Sequence, residues 1–264
     1  MSEFINSASK NSNYFVSVRK NPVHKSKTDL SIPFSKFIIH ASSKGKELGI
    51  KFIDYKNPTD FKQMTLTMGM SGNWSYTEKD KEPPKHTHLL LEDNNGGILG
   101  MHDVRRFARW DWREWNKERS PDPSTQFADF KANVLKGVSE RKAIFKRPVY
   151  ETLMSQEYFN GVGNYLRAEI LGRIDLDPNI PGDLYITAVG DQFFDVLKKT
   201  IDESYILGGG QFKDWYNSLD REGEKWKTFQ DWMQYYFNKQ KCEPIKDSKG
   251  RVFWMNKKWK KYDK

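Results

Sequence analysis

Apolar and polar positions change their period near the middle of this chain. From about Tyr14 to Leu91 the apolar residues come in short runs, Tyr14–Val18, Phe37–His40, Gly49–Phe52, Met64–Met68 and Thr87–Leu91, separated by clusters of Pro, Asn, Gly and Lys. Runs of this length bounded by turn formers predict strands. Gly97–His102 and Phe107–Trp110 continue the series, so this half reads as an antiparallel β-sandwich or barrel. Ahead of it, Phe4, Ile5 and Ala8 make a scrap of helical pattern too short to be stable alone. From Gln126 the apolar spacing becomes three and four residues, through Phe127–Val138, Tyr150–Tyr158, Leu166–Leu171, Ile186–Ile206 and Lys227–Phe237, which predicts helices. Residues 117–125 carry two prolines and no apolar residue, the mark of a linker. The pattern implies an α+β fold: a β-sandwich domain over 1–116, a linker over 117–125, a helical domain over 126–237 and a tail over 238–264.

The stretch that organises the second half is Phe159–Leu171, which joins two helical patterns through a very short turn. Pro148 stands where a first helical turn would begin. Gly161 and Gly163 permit unusual backbone angles, and Asn164 can cap the helix that follows. The open amides of such a helix start favour an anion, and Asn164 adds a neutral donor. The same residues also read simply as one helix's C-cap followed by the next one's N-cap.

Charge sharpens the picture. The 264 residues carry 44 Lys plus Arg against 35 Asp plus Glu, a formal charge of +9, which suits a polyanionic partner. The tail Lys239–Lys264 concentrates this, with ten basic residues against three acidic ones and Phe253, Trp254, Trp259 and Tyr262 interleaved. Basic and aromatic residues together suggest nucleic acid, although terminal basic runs also serve only solubility. Asp247-Ser248-Lys249-Gly250 has turn chemistry and Arg251–Trp254 strand chemistry, which predicts a β-hairpin with Arg251 near its tip. The single cysteine, Cys242, excludes an internal disulfide and a cysteine-based zinc site. No run approaches membrane-spanning length and the start lacks a signal peptide's apolar core, so the chain reads as soluble and intracellular; a monomer without a cofactor is expected.

Several residues invite chemistry on their own terms. Lys46 lies in a Lys-Gly-Lys turn, where its ammonium can reach a phosphate, shuttle a proton, or merely be solvated. Met70, between Gly69 and Gly72, can enter a base stack or fill a core. Arg105 and Phe107, two apart, would share one face of a strand and Arg106 would point away. His86 and His88 would also share a face, and with His102 or Asp103 they offer a possible metal site.

Together these residues resemble the formamidopyrimidine-DNA glycosylase and endonuclease VIII family, its animal endonuclease VIII-like branch in particular. The resemblance runs through Ser43-Lys44-Gly45-Lys46-Glu47-Leu48, Gly69-Met70-Ser71-Gly72, His86-Thr87-His88-Leu89, Asp103-Val104-Arg105-Arg106-Phe107, the hinge Phe159–Leu171 and Gly250-Arg251, in the family's order over about residues 36–255. It implies a helix–two-turn–helix domain and a zincless finger, a hairpin without zinc ligands. It implies a base-excision-repair glycosylase with abasic-site lyase activity, acting on double-stranded DNA that contains oxidised bases or abasic sites, with no metal at the histidines. By the same resemblance Lys46 assists base release and β-elimination. Met70, Arg105 and Phe107 fill the void left by an extruded nucleotide, Arg105 facing the orphaned base. His86, Lys146 and Asn164 contact phosphates, and Arg251 grips the phosphate of the lesion.

One part of the family pattern is missing. The family's nucleophile is an N-terminal proline followed by glutamate, whose α-amine pKa of about 7.7–8 leaves a useful neutral fraction. Here the sequence reads Met1-Ser2-Glu3, and Phe4, Ile5 and Ala8 match the later part of the family's first helix. The resemblance therefore implies a start upstream of Met1. The alternatives are a protein that binds damaged or abasic DNA without cutting it and, less in keeping with Met70, Arg105 and Phe107, an RNA-binding module.

Overall fold

Short apolar runs become strands where alternate side chains can be buried together, and Phe37, Ile39 and Ala41 are buried while Ile38 and His40 between them are exposed. The structure, a computed structural model, describes residues 1–10, 12–69, 71–209 and 228–259. It divides into two units, Met1–Asn116 and Lys117–Lys264. In the first, α1 (Ser2–Ser9) precedes β1 (Phe15–Lys20), β2 (Phe37–Lys44), β3 (Glu47–Asp54), β4 (Phe61–Thr67), β5 (Gly72–Thr77), β6 (Thr87–Asp93), β7 (Ile98–Asp103) and β8 (Arg109–Trp112). Hydrogen bonding links the strands in the order β5-β7-β6-β1-β2-β3-β4-β8, every pair antiparallel. β1 and β2 meet only at Phe15 and Phe37. The sheet is therefore two four-stranded halves, and both contribute to one core that includes Phe15, Leu91 and Met101 from one half with Ile50, Phe52 and Leu66 from the other. The helix scrap at the start is stable because Ile5 is fully buried in that core, which supplies what so short a helix lacks.

Some sequence expectations need correction. β5 was not foreseen, since Gly72–Thr77 alternates weakly and gains its order from pairing with β7. Arg105 and Phe107 do not lie on a strand. They sit in the turn between β7 and β8, where Arg106 has φ +55°. The supposed linker is no free tether: Ser120 and Asp122 are buried in the second unit, the Ser120 amide donates to the Gln156 carbonyl at 3.0 Å, and Asn160 donates to the Ser120 carbonyl at 3.0 Å.

The second unit contains α2 (Phe127–Ser139), α3 (Val149–Thr152), α4 (Asn164–Ile174), α5 (Gly182–Val189), α6 (Asp191–Ile206) and α7 (Phe229–Trp232), followed by a hairpin of β9 (Cys242–Lys246) and β10 (Val252–Asn256). Phe130 of α2, Ile170 of α4 and Phe193 of α6 share a core with Phe253 and Trp254 of the hairpin. The helix expected over Tyr150–Tyr158 lasts a single turn. Beyond it the Met154 and Ser155 amides bond three residues back, to the Glu151 and Thr152 carbonyls at 3.1 and 3.0 Å, and not four back as a continuing helix requires. The helix expected over Ile186–Ile206 is split at Gly190, where φ is +63°. That expected over Lys227–Phe237 is only α7, because the amides of residues 234–236 turn toward Glu169; Lys227 lies outside the described residues. Among the described residues no helix is long and apolar enough to cross a membrane.

Candidate nucleic-acid interface

Lys46 occupies the tip of the hairpin formed by β2 and β3. Lys44 pairs with Glu47, so Gly45 and Lys46 are a two-residue turn. Gly45 has φ +55° while Lys46 does not enter the left-handed region, the pattern of a type II′ turn, which needs glycine first. The ammonium is exposed, whereas its neighbour Glu47 is buried: its carboxylate accepts from Arg113 at 2.8 Å and from the Asn116 amide at 3.2 Å. A buried carboxylate, bonded to the exposed guanidinium of Arg113, thus fixes the root of the turn whose tip carries the lysine.

A second construction in the same unit is centred on Asp103. This carboxylate is fully buried and accepts from the Ser71 hydroxyl and from the amides of Arg105, Phe107 and Ala108 at 3.2, 2.6 and 2.7 Å. Burial opposes its ionisation, but these donors outweigh burial and hold the carboxyl below its ordinary range. Asp103 therefore ties the turn through Ser71 to the turn that carries Arg105 and Phe107. The Arg105 guanidinium lies 4.5 Å from the centroid of the Phe107 ring, and Phe107 is 49% exposed, an unusual position for so large an apolar side chain. A Cβ placed on Gly69 would come within 2.9 Å of Phe107 Cβ, so the two turns touch. Met70 lies outside the described residues. The nearby cavity of about 480 Å³ is lined by Lys25, Arg105, Arg106 and Arg109 and, among the described residues, by no carboxylate, a field that favours anions.

The histidines resolve differently from a metal site. His86 precedes β6 with φ +69°, and its carbonyl accepts from the Asp103 amide at 3.0 Å. His88 is buried and its Nε2 donates to the Asp103 carbonyl at 3.1 Å, while the Asp103 carboxylate is taken up by the turns. Among the described residues no group of three or more His, Cys, Asp or Glu could hold a metal ion. His24, which sequence reasoning passed over, stacks on Trp110 with ring centroids 4.1 Å apart and lies 5.1 Å from His88. Its Nδ1 accepts from the Ser26 amide, so Nε2 carries the proton, while Nδ1 of His88 is buried without a partner. Burial lowers both pKa values first of all. The other imidazole and Lys20 depress His24 further, and His86 and Arg106 depress His88, against a partial opposing effect of Asp103. A base with a depressed pKa supports the fold while neutral, and that support is lost as pH falls from the unfolded value of about 6.5 through the folded one. The first unit is expected to hold its stability above about pH 6.5 and to weaken below it, with NMR titration placing both rings under 6.5. Ordinary values for both would refute the argument.

In the second unit Gly161 makes the sharp bend, with φ +90°, while Gly163 is extended, with φ −127° and ψ −170°. Asn164 begins α4, but its side chain makes no cap. Its Oδ1 is buried without a partner, which leaves Nδ2 as the accessible end. Lys146 pairs with Asp183 and keeps 57% of its side chain exposed. Arg251 follows the hairpin turn, its Nε bound to Asp247 at 2.8 Å. Two charged residues of α4 that sequence reasoning missed hold this region. Arg167 donates to Asp247 at 2.9 Å, and Glu169 accepts from the amides of Gln234, Tyr235 and Tyr236 at 3.0, 2.8 and 2.9 Å. Burial raises the Glu169 pKa in spite of those three donors.

Comparison with known proteins agrees with this architecture. Residues 17–110 match the formamidopyrimidine-DNA glycosylase N-terminal domain. Human endonuclease 8-like 1 is 33% identical over 186 residues, covering 67% of this chain and 46% of the relative. The formamidopyrimidine-DNA glycosylase of Geotalea uraniireducens is 28% identical over 167 residues, 61% of this chain and 60% of the relative. The chain thus spans about half the length of the curated relatives it matches. Among solved structures, the Lactococcus lactis Fpg in complex with DNA containing an abasic site superposes with a TM-score of 0.70 at 17% identity, over 96% of both chains. MutM in complex with DNA containing carbocyclic 8-oxo-G gives 0.72 at 19% identity, again over 96% of both. At that identity the likeness establishes the fold. With the matched domain and relatives, it shows that the chain belongs to the formamidopyrimidine-DNA glycosylase and endonuclease VIII family.

Proposed function

We propose that this protein is a DNA glycosylase with abasic-site lyase activity, acting on oxidised bases in double-stranded DNA. The observation that carries the reading is the exposed Arg105–Phe107 pair held by the buried Asp103. A protein that extrudes a base must occupy the vacated stack and answer the orphaned partner, and an apolar ring beside a guanidinium suits both tasks. The resemblance assigns the rest of the wedge to Met70, which lies outside the described residues. His86, Lys146, Asn164 and Arg251 contact phosphates, for which Lys146 exchanges its bond to Asp183.

In the reaction a neutral amine attacks the sugar C1′ and the bond from C1′ to the base breaks. The departing base takes a proton and the sugar ring opens to leave an imine. Loss of a proton from C2′ then expels the 3′ phosphate. The family resemblance assigns the amine to an N-terminal proline, while Lys46 moves protons and contacts the lesion nucleotide. Relatives named as endonuclease 8-like 1 and formamidopyrimidine-DNA glycosylase, and the net charge of +9, support the reading.

The test is borohydride trapping of the protein, as its native gene expresses it, on a duplex with one oxidised pyrimidine. A covalent adduct, with binding that falls steeply as salt rises, is expected. Selective binding of the damaged duplex without an adduct would replace the enzyme with a lesion reader, and preference for structured RNA would overturn both readings.

A further inference from the structure

A two-stranded hairpin is marginal on its own, and the strands β9 and β10 pair over only five residues each. With one cysteine in the chain, thiolate–zinc bonds are not what holds it. Two charged residues of α4 act at its two ends, and both are completely buried. Glu169 binds three successive amides just before β9, as described above. Arg167 reaches the tip: Nη1 donates to Asp247 at 2.9 Å and to the Tyr150 carbonyl at 3.1 Å, and Nη2 donates to the Val252 carbonyl at 2.9 Å. Asp247 has no exposed side-chain surface. One of its oxygens is shared between Arg167 and Nε of Arg251, and the other accepts from the amides of Lys249 and Arg251 at 3.0 and 2.9 Å. Glu151 adds a second clasp on the turn, accepting from the Ser248 amide and hydroxyl at 2.8 and 2.7 Å.

We infer that Arg167 and Asp247 are positioning residues that aim Arg251, and that this buried ion pair does for the hairpin what a metal would do. The inference rests on the reading of Arg251 as a phosphate ligand. Asp247 holds Arg251 by Nε and by its backbone amide, which leaves the two Nη groups for a phosphate. Such a carboxylate would by itself cancel the charge it positions. Arg167 removes that conflict, because two guanidiniums sharing one carboxylate leave a net positive charge at the tip.

The test is a double-mutant cycle on affinity for a duplex containing a tetrahydrofuran abasic analogue. Arg251→Gln is expected to weaken binding about ten- to a hundredfold, the worth of a charge-assisted hydrogen bond, and to lower the salt slope by about one phosphate. Asp247→Asn is expected to do nearly the same although it adds positive charge, and the double variant is expected to be no worse than Arg251→Gln alone. Full additivity, or an Asp247→Asn protein that binds as well as or better than the parent, would overturn the inference. Should Asp247→Asn not fold, Arg251→Lys decides. It keeps the charge but has no Nε fork, and wild-type affinity there would equally overturn the proposal. If Arg251→Gln itself binds normally, the phosphate role fails and this inference with it. A weak Arg251→Gln beside a normal Asp247→Asn overturns the positioning role alone.

Discussion

Replacing Lys46 with leucine is expected to slow base release by about 10²- to 10⁴-fold, the usual worth of a positioned acid–base group, while affinity for an abasic-analogue duplex changes far less. The separation follows from where the side chain sits. Lys46 is exposed at the second position of a turn whose backbone is set by Gly45, and the root of that turn is held by the buried Glu47 carboxylate and its bond to Arg113, so the substitution leaves hairpin and core in place. Most phosphate contacts in the proposed interface come from other residues, and the affinity they provide remains. Single-turnover base release at saturating protein, compared with equilibrium binding, measures the two effects apart. An unchanged rate would reduce Lys46 to a solvated turn residue.

The largest effect on stability is expected from Arg167→Leu. The leucine would remove the fully buried partner of the Asp247 carboxylate and leave it the half-buried Arg251, and breaking a buried pair from one side typically costs about 3–5 kcal/mol. Three hydrogen bonds, to Asp247, Tyr150 and Val252, are lost at once, together with the guanidinium's contact with Phe253 at 5.2 Å. Adding Asp247→Asn should restore part of the loss, since the buried carboxylate charge is then removed as well. Urea unfolding of the three variants measures this, and an Arg167→Leu protein within about 1 kcal/mol of the parent would show that the pair is replaceable.

The ion pair also sets an acid limit. Burial acts against the Asp247 charge, but the Arg251 amide and the two guanidiniums prevail and bring its pKa down to about 2. A depressed carboxyl contributes stability above its unfolded value of 3.8, and the contribution is lost as pH falls from there through about 2. In Arg167→Leu the folded pKa should move back up toward 3.8, so the contribution lost in acid is smaller and its loss is complete at a higher pH.

The sequence by itself determined the elements whose reasons are local. The short apolar run Phe37–His40, helical spacing over Phe127–Val138, and the turn chemistry of Asp247–Gly250 specify a strand, a helix and a hairpin in turn because the side chains involved lie within a few residues of one another. It also placed Lys46 in a turn and Arg251 just beyond one. It did not disclose that Arg105 and Phe107 stand on a turn rather than a strand. That depends on a carboxylate, Asp103, which binds backbone amides along the turn and a hydroxyl 32 residues away, at Ser71. Arg167 and Glu169 were equally illegible. A charged residue in a helical pattern reads as part of the solvent face, and nothing within a few residues indicates that partners 80 and 65–67 residues onward will bury it. His24 and His88 share a wall for the same reason, since their separation along the chain gives no hint of rings 5.1 Å apart. Local propensity and period are properties of neighbouring residues. The pairing of buried charges is a property of the folded chain, because only folding removes the water that would otherwise satisfy them.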